Sequence, residues 1–229
     1  MATAPPKTGS ARTLADVLAP VVGVPLNRIR VHPAPGRATV QDVIDIQDRE
    51  GVLCELVAGV LVEKHMGYSE SLLASAIIEL LNAFVRSRNL GHVTGEAGTM
   101  QLMPDLVRIP DVAYTSWQRL PGGQRPTERV PLLTPNIVIE IVSEGNTPVE
   151  IAEKRRLYFE AGVDLVWEIN SLRRSATAYR SLADFETLGK DGRLEGGTVL
   201  PGFTLPLAEV FAELDRRAYS DAPMPRGSS

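Results

Sequence analysis

The chain has 229 residues, 44% of them hydrophobic and 23% charged, enough for one well-buried core and short for two full domains. Its formal net charge is −4, opposite to the basic balance of proteins that grip nucleic acid through many phosphates, so any such grip must be local or metal-assisted. A single cysteine, Cys54, excludes an intrachain disulfide and a thiolate zinc cluster; with no apolar run near the ~20 residues of a membrane span, the reading is a soluble, cytoplasmic protein with no membrane partner.

Residues 1–11 and 221–229 are small, polar and proline-containing, and are expected to be disordered. A short helix is expected from about Thr13 to Leu18, and the Pro33-Ala34-Pro35-Gly36 cluster then ends an N-terminal arm, residues 1–36. The main domain is expected over 37–212 and a C-terminal tail over 213–229. Thr39 followed by Asp42 reads as the N-cap of a helix through Val40, Val43, Ile44 and Ile46.

Glu55 to Lys64 reads as a β-hairpin turning at Ala58-Gly59. Ser69 opens a helix to about Arg88, with Leu72, Leu73, Ala76, Ile77, Leu80, Leu81 and Phe84 at helical spacing and Gly91 beyond its end. Strands are expected at His92 to Glu96, at Val107 to Thr115 and at Asn136 to Val142. Thr147-Pro148-Val149-Glu150 then combines an N-cap, a proline at the first helical position and a glutamate three residues after the cap, and Gly162 stands where that helix should stop. Leu165 to Ile169 makes a further strand, and Thr177 to Arg180 another. This order predicts a mixed central α/β sheet flanked by helices, preceded by a hairpin.

Glu140 lies inside the apolar run Asn136-Ile137-Val138-Ile139-Glu140-Ile141-Val142. A carboxylate there loses several kcal/mol of hydration unless a cation, a metal or hydrogen-bond donors replace the water. On a helical wheel at about 100° per residue, Ile151, Leu157, Tyr158 and Ala161 form the apolar stripe of the helix after it and Lys154 falls near the stripe's centre, aimed at the sheet. Asp111, after Pro110 on a neighbouring strand, is the third member. Asp111 and Glu140 could hold a hard divalent cation, Mg2+ or Mn2+, while Lys154 places the attacking water. The same residues equally suit a buried salt-bridge triad without chemistry. Among accessory acids, Glu55 is favoured over Glu63 and Glu70 as a further metal ligand. His32, His65 and His92 lack metal-ligand spacing, and there is no phosphate-binding glycine loop or nucleophile elbow.

The succession Cys54-Glu55-Leu56-Val57-Ala58-Gly59-Val60-Leu61-Val62-Glu63, Arg108-Ile109-Pro110-Asp111-Val112-Ala113, Ile137 to Ser143, then Lys154, Tyr158, Gly162-Val163 and Val166-Trp167 resembles the Uma-two family, restriction endonuclease-like proteins of the PD-(D/E)XK nuclease superfamily. The resemblance covers about residues 38–212. It implies a restriction endonuclease-like core in which Asp111 matches the first motif aspartate and Glu140 the second motif acid. The superfamily's lysine stands two residues after the glutamate, where this chain has Val142; in the family it looks displaced to the next helix, where Lys154 matches. The implied activity is magnesium-dependent hydrolysis of a nucleic-acid phosphodiester, most readily DNA, by a homodimer. The reading from another class is a catalytically silent binding or assembly module on the same fold.

Overall fold

The computed structural model describes residues 13–217; the ends expected to be disordered, 1–11 and 221–229, lie outside the described residues. The arm begins with α1, Leu14–Leu18, capped by Thr13, whose side chain and Asp16 form a reciprocal capping box. The same box, Thr39 with Asp42, starts α2, Val40–Glu50.

Next comes the expected hairpin, β1, Cys54–Val57, and β2, Val60–Glu63. Ala58 (φ 48°) and Gly59 (φ 78°) are both left-handed, as the two-residue turn matching the right-handed strand twist requires. Then follow α3, Tyr68–Ser87; β3, Gly91–Thr94; β4, Met100–Met103; β5, Leu106–Arg108; and β6, Val112–Ser116. Helix α3 has the length and apolarity of a membrane span, but Leu73, Ala74, Ile77, Leu81 and Val85 on one face are packed into the core.

The single strand expected over Val107 to Thr115 is two strands in two sheets. β5 pairs with β1 and β4, whereas β6 pairs with β3 and β7, Ile137–Val142. Pro110 has no N–H for a ladder, so the chain changes sheet there, and Asp111 stands at the junction.

Helix α4, Pro148–Glu160, is followed by β8, Leu165–Asn170; β9, Ser175–Tyr179; β10, Phe185–Gly189; β11, Arg193–Glu195; β12, Thr204–Pro206; and α5, Leu207–Ala212. β4 and the last four of these elements were not anticipated from the sequence. The central sheet runs β10-β9-β8-β7-β6-β3, with β7 and β8 parallel across the α4 crossover and the other pairs antiparallel. A smaller sheet, β2-β1-β5-β4, packs over α4's side of it.

Alternation assigns every side chain to a layer. Ile137, Ile139 and Ile141 of β7, with Leu165, Trp167 and Ile169 of β8, face α3 and α5 in the largest apolar cluster. One residue along, Val138 and Val166 face α4, with Leu157 and Tyr158, and meet Val57, Val60, Val62 and Leu106 of the smaller sheet. The other face of the smaller sheet carries Cys54, Leu56, Leu61 and Val107 against α2. Cys54 is a core residue whose thiol burial pushes up to about 11.

Candidate active site

The period of two that points Val138 at α4 also points Glu140 there. In β6 and β7, Val112 pairs with Ile139, so the register carried one step back sets Asp111 opposite Glu140. Like charges directly across a ladder repel. The smaller sheet supplies the compensation by the same alternation: Lys64 follows Val60 and Val62, Glu55 precedes Leu56 on the face away from α2, and Arg108 follows Leu106.

Asp111, Glu140, Lys154 and Glu55 are all buried. Lys64 Nζ donates to Asp111 Oδ1 at 2.5 Å and to the Ile109 carbonyl at 2.8 Å, and the Ile141 N–H donates to Asp111 Oδ2 at 2.6 Å. Lys154 Nζ sits 3.4 Å from both Glu140 Oε2 and Glu55 Oε1. The Tyr158 hydroxyl donates a short hydrogen bond to Glu140 Oε1. Arg108 Nη1 reaches Glu55 Oε2 at 2.8 Å, and the Ile109 N–H reaches Glu55 Oε1 at 3.2 Å.

The structure therefore brings Asp111, Glu140 and Lys154 together around one small polar cavity of about 20 Å3, room for about one water-sized occupant. Lys64, Arg28, Ser143 and Asn146 complete its inner wall, and His65 and Glu70 stand at its mouth. Glu55 does not line it. Expected to be a metal ligand, Glu55 instead stands behind Lys154, its oxygens taken by Arg108, the Ile109 amide and Lys154 itself. The cavity adjoins an open groove of about 560 Å3 that shares His65, Met66, Glu70 and Ser143 with it.

Burial pushes Asp111 above its ordinary carboxylate value; the Lys64 charge opposes this, and Glu140 adds to it. Burial alone would also raise Glu55, but the Lys154, Arg108 and Lys64 charges and the Ile109 amide overcome it and hold Glu55 well below the usual range. Desolvation works against the Lys64 ammonium, yet the Glu140, Asp111 and Glu55 charges hold it above the usual lysine range. Tyr158 is raised well above the usual phenol by burial and by the Glu140 and Glu55 charges, so it remains the proton donor to Glu140.

Lys64, Arg108, Tyr158 and Arg28 were not singled out as site residues. The signal for the first two was present in the alternation of β2 and β5. Arg28 carried none, because it reaches the site from the distant arm. Three arginines elsewhere on the chain are engaged with acids of their own: Arg155 with Glu168, Arg156 with Glu153 and Glu160, Arg174 with Asp215. Trp167 is core, and Trp117 packs edge-on to His92 and donates to the Asn89 carbonyl.

No curated protein matches the chain. The fold is that of a crystal structure from Anabaena variabilis ATCC 29413 described as "a putative nuclease belonging to DUF820", with a TM-score of 0.63 at 19% identity, covering 71% of this chain and 91% of that one. The family described as "Uma2: Putative restriction endonuclease" matches residues 40–208, which include both sheets, Asp111, Glu140 and Lys154. With most of its length and the whole central sheet inside that match, the chain belongs to the Uma2 family.

Proposed function

We propose that the protein is a metal-dependent nuclease that hydrolyses nucleic-acid phosphodiesters, DNA first among them. The observation that carries this reading is the cross-strand pair Asp111 and Glu140, two buried carboxylates that repel each other across a cavity sized for a single small occupant. The donors there are oxygens, which suit a hard cation such as Mg2+ or Mn2+. Among the described residues no three acidic, histidine or cysteine side chains stand close enough to cage an ion alone. Two carboxylates with water completing the shell is the usual arrangement for magnesium. The chemistry such an ion supplies is neutralisation of the non-bridging phosphate oxygens and a lowered pKa of bound water.

The chain's own residues would do the rest. The Ile141 amide and Lys64 fix the Asp111 carboxylate, while Tyr158 and Lys154 fix Glu140. Lys154, held loosely at 3.4 Å on two sides, keeps a free N–H direction with which to orient the attacking water. Glu55, anchored by Arg108, would position Lys154. The groove of about 560 Å3 beside the cavity gives a strand room to approach. A homodimer would present two such sites to the two strands of a duplex.

The complete pairing of the charges favours a second reading, a catalytically silent module in which Lys64 and Lys154 serve only as counter-ions. Cleavage of labelled single- and double-stranded DNA and RNA with magnesium or manganese separates the two. The nuclease reading expects metal-dependent cutting by wild type that disappears in folded Asp111→Ala, Glu140→Ala and Lys154→Ala variants. No cutting, with no heat of metal binding by calorimetry, would establish the silent module instead.

A further inference from the structure

The family match begins at residue 40, yet the arm before it closes one wall of the site. Arg28, only 8% exposed, lines the same cavity as Asp111, Glu140 and Lys154. Its Nε donates to the Glu63 carbonyl at 3.0 Å and its Nη1 to Glu150 Oε1 at 2.8 Å; among the described residues Nη2 has no hydrogen-bond partner.

The arm is held on both sides of this residue. Before it, the Thr147 hydroxyl donates to the Gly23 carbonyl at 2.8 Å. Gly23 has φ +82°, and a Cβ there would stand 2.7 Å from the Glu150 nitrogen, so only glycine lets the arm come this close to the start of α4. After it, the Arg30 amide donates to the Leu61 carbonyl at 3.0 Å, and the Arg30 guanidinium pairs with Glu50 and Glu63. Glu150 is correspondingly turned away from closing the capping box that its position after Thr147 suggests, and serves Arg28 instead.

We infer that Arg28 is a substrate-contacting residue, presenting its unused N–H edge to a non-bridging oxygen of a phosphodiester that enters beside Asp111 and Glu140. The inference rests on the nuclease reading and extends it to a residue outside the matched family region. A phosphate approaching two carboxylates needs positive charge that those carboxylates have not already claimed. Lys64 is bound to Asp111, and Lys154 is shared by Glu55 and Glu140; Arg28 at the same wall answers only to Glu150. A guanidinium fixed on two of its donors offers the third in a set direction, which suits a tetrahedral oxyanion better than a mobile ammonium.

The test is binding of cleavage-resistant, phosphorothioate-linked fluorescent DNA and RNA, single- and double-stranded, by the full chain in magnesium over a salt series. Arg28→Gln is expected to weaken binding about 10- to 100-fold, as for loss of a charge-assisted hydrogen bond, and to reduce the salt slope by about one. Gly23→Val, which undocks the arm while keeping Arg28, should behave the same way. Arg156→Gln, which removes an arginine paired with Glu153 and Glu160 and lining neither the cavity nor the groove, should stay near wild type in affinity and slope. Thermal melting identifies variants that remain folded. Should Arg28→Gln fail to fold, Arg28→Lys decides: lost affinity at unchanged salt slope supports the contact, and unchanged affinity overturns it. An Arg28→Gln variant that binds as wild type does, or an Arg156→Gln variant that loses as much, would reduce Arg28 to a structural counter-ion. Wild type that binds none of the four nucleic acids would overturn the nuclease reading itself, and this inference with it.

Discussion

On one side of β7 and β8, Ile137, Ile139, Ile141, Leu165, Trp167 and Ile169 meet α3 and α5 in an apolar layer; on the other, one residue along, Glu140 and Glu168 share the face toward α4 with Val138 and Val166. The strands and backbone ladders are the same, and the burial is nearly the same. The energetics are not. The apolar face gains about 25 cal/mol for each Å2 removed from water. The charged face loses hydration at every ion and recovers it only through close pairing, so that buried ion pairs commonly come out near even against apolar residues of equal volume. Stability alone gives no reason for the cluster Asp111, Glu140, Glu55, Lys64, Arg108 and Lys154. The apolar face holds the sheet; under the proposed function the charged face would position groups for use.

Trp167→Ala should produce the largest loss of stability, about 3–5 kcal/mol by denaturant unfolding, because it empties a fully buried site against Phe203. Such a variant, while still folded, should bind magnesium as wild type does. Glu55→Gln should cost a similar amount at neutral pH by another route, leaving Arg108 and Lys154 short of a buried counter-charge. Its pH signature separates the two. Glu55 is held below its ordinary value of 4.5, so its stabilisation is complete above that pH and fades as pH falls through the lower folded value. The gap between wild type and Glu55→Gln should narrow in acid, whereas the gap for Trp167→Ala should not show this narrowing. A smaller effect on stability, between neutral and a gain of about 1–4 kcal/mol, is expected when Lys64→Met and Asp111→Leu are combined, making this part of the charged face apolar. Calorimetry should then show metal binding abolished in a protein no less stable.

Why the sequence disclosed one face more fully than the other is clear from single residues. Glu140 stood out because a charge in an apolar strand needs a partner, and Lys154 because a wheel has a centre; both arguments use a local period that the fold preserves. Asp111 was noticed, but Pro110 was read as part of one strand when it marks the passage between two sheets, a fact set by pairing far along the chain. Glu55 was favoured among the accessory acids and expected at a metal; that it faces Arg108 and Lys154 depends on how the smaller sheet lies over α4. Lys64 was the last residue of the hairpin as read, one past the end of β2, and carrying the alternation of Val60 and Val62 on to it would have placed it on the site's face. The partner of Glu150 was beyond local reasoning, since Arg28 lies 122 positions away and displaces a capping arrangement that local sequence favours.

Ile139→Val is the smallest change that addresses the comparison directly. Ile139 is the neighbour of Glu140 in the same strand, pairs with Val112 and Trp167 and points wholly into the apolar layer. Removing one methylene there should cost about 0.5–1.5 kcal/mol of stability, since β-branched shape is kept and the void is small. Backbone hydrogen bonds in β7 are untouched, so the Glu140 carboxylate should keep its place between Lys154 and Tyr158. Cleavage rate at saturating substrate, measured well below the melting temperature, should therefore equal that of wild type. A lowered rate in this variant would mean that a shift in apolar packing is transmitted through the strand to the carboxylate, and that the two faces do not act independently.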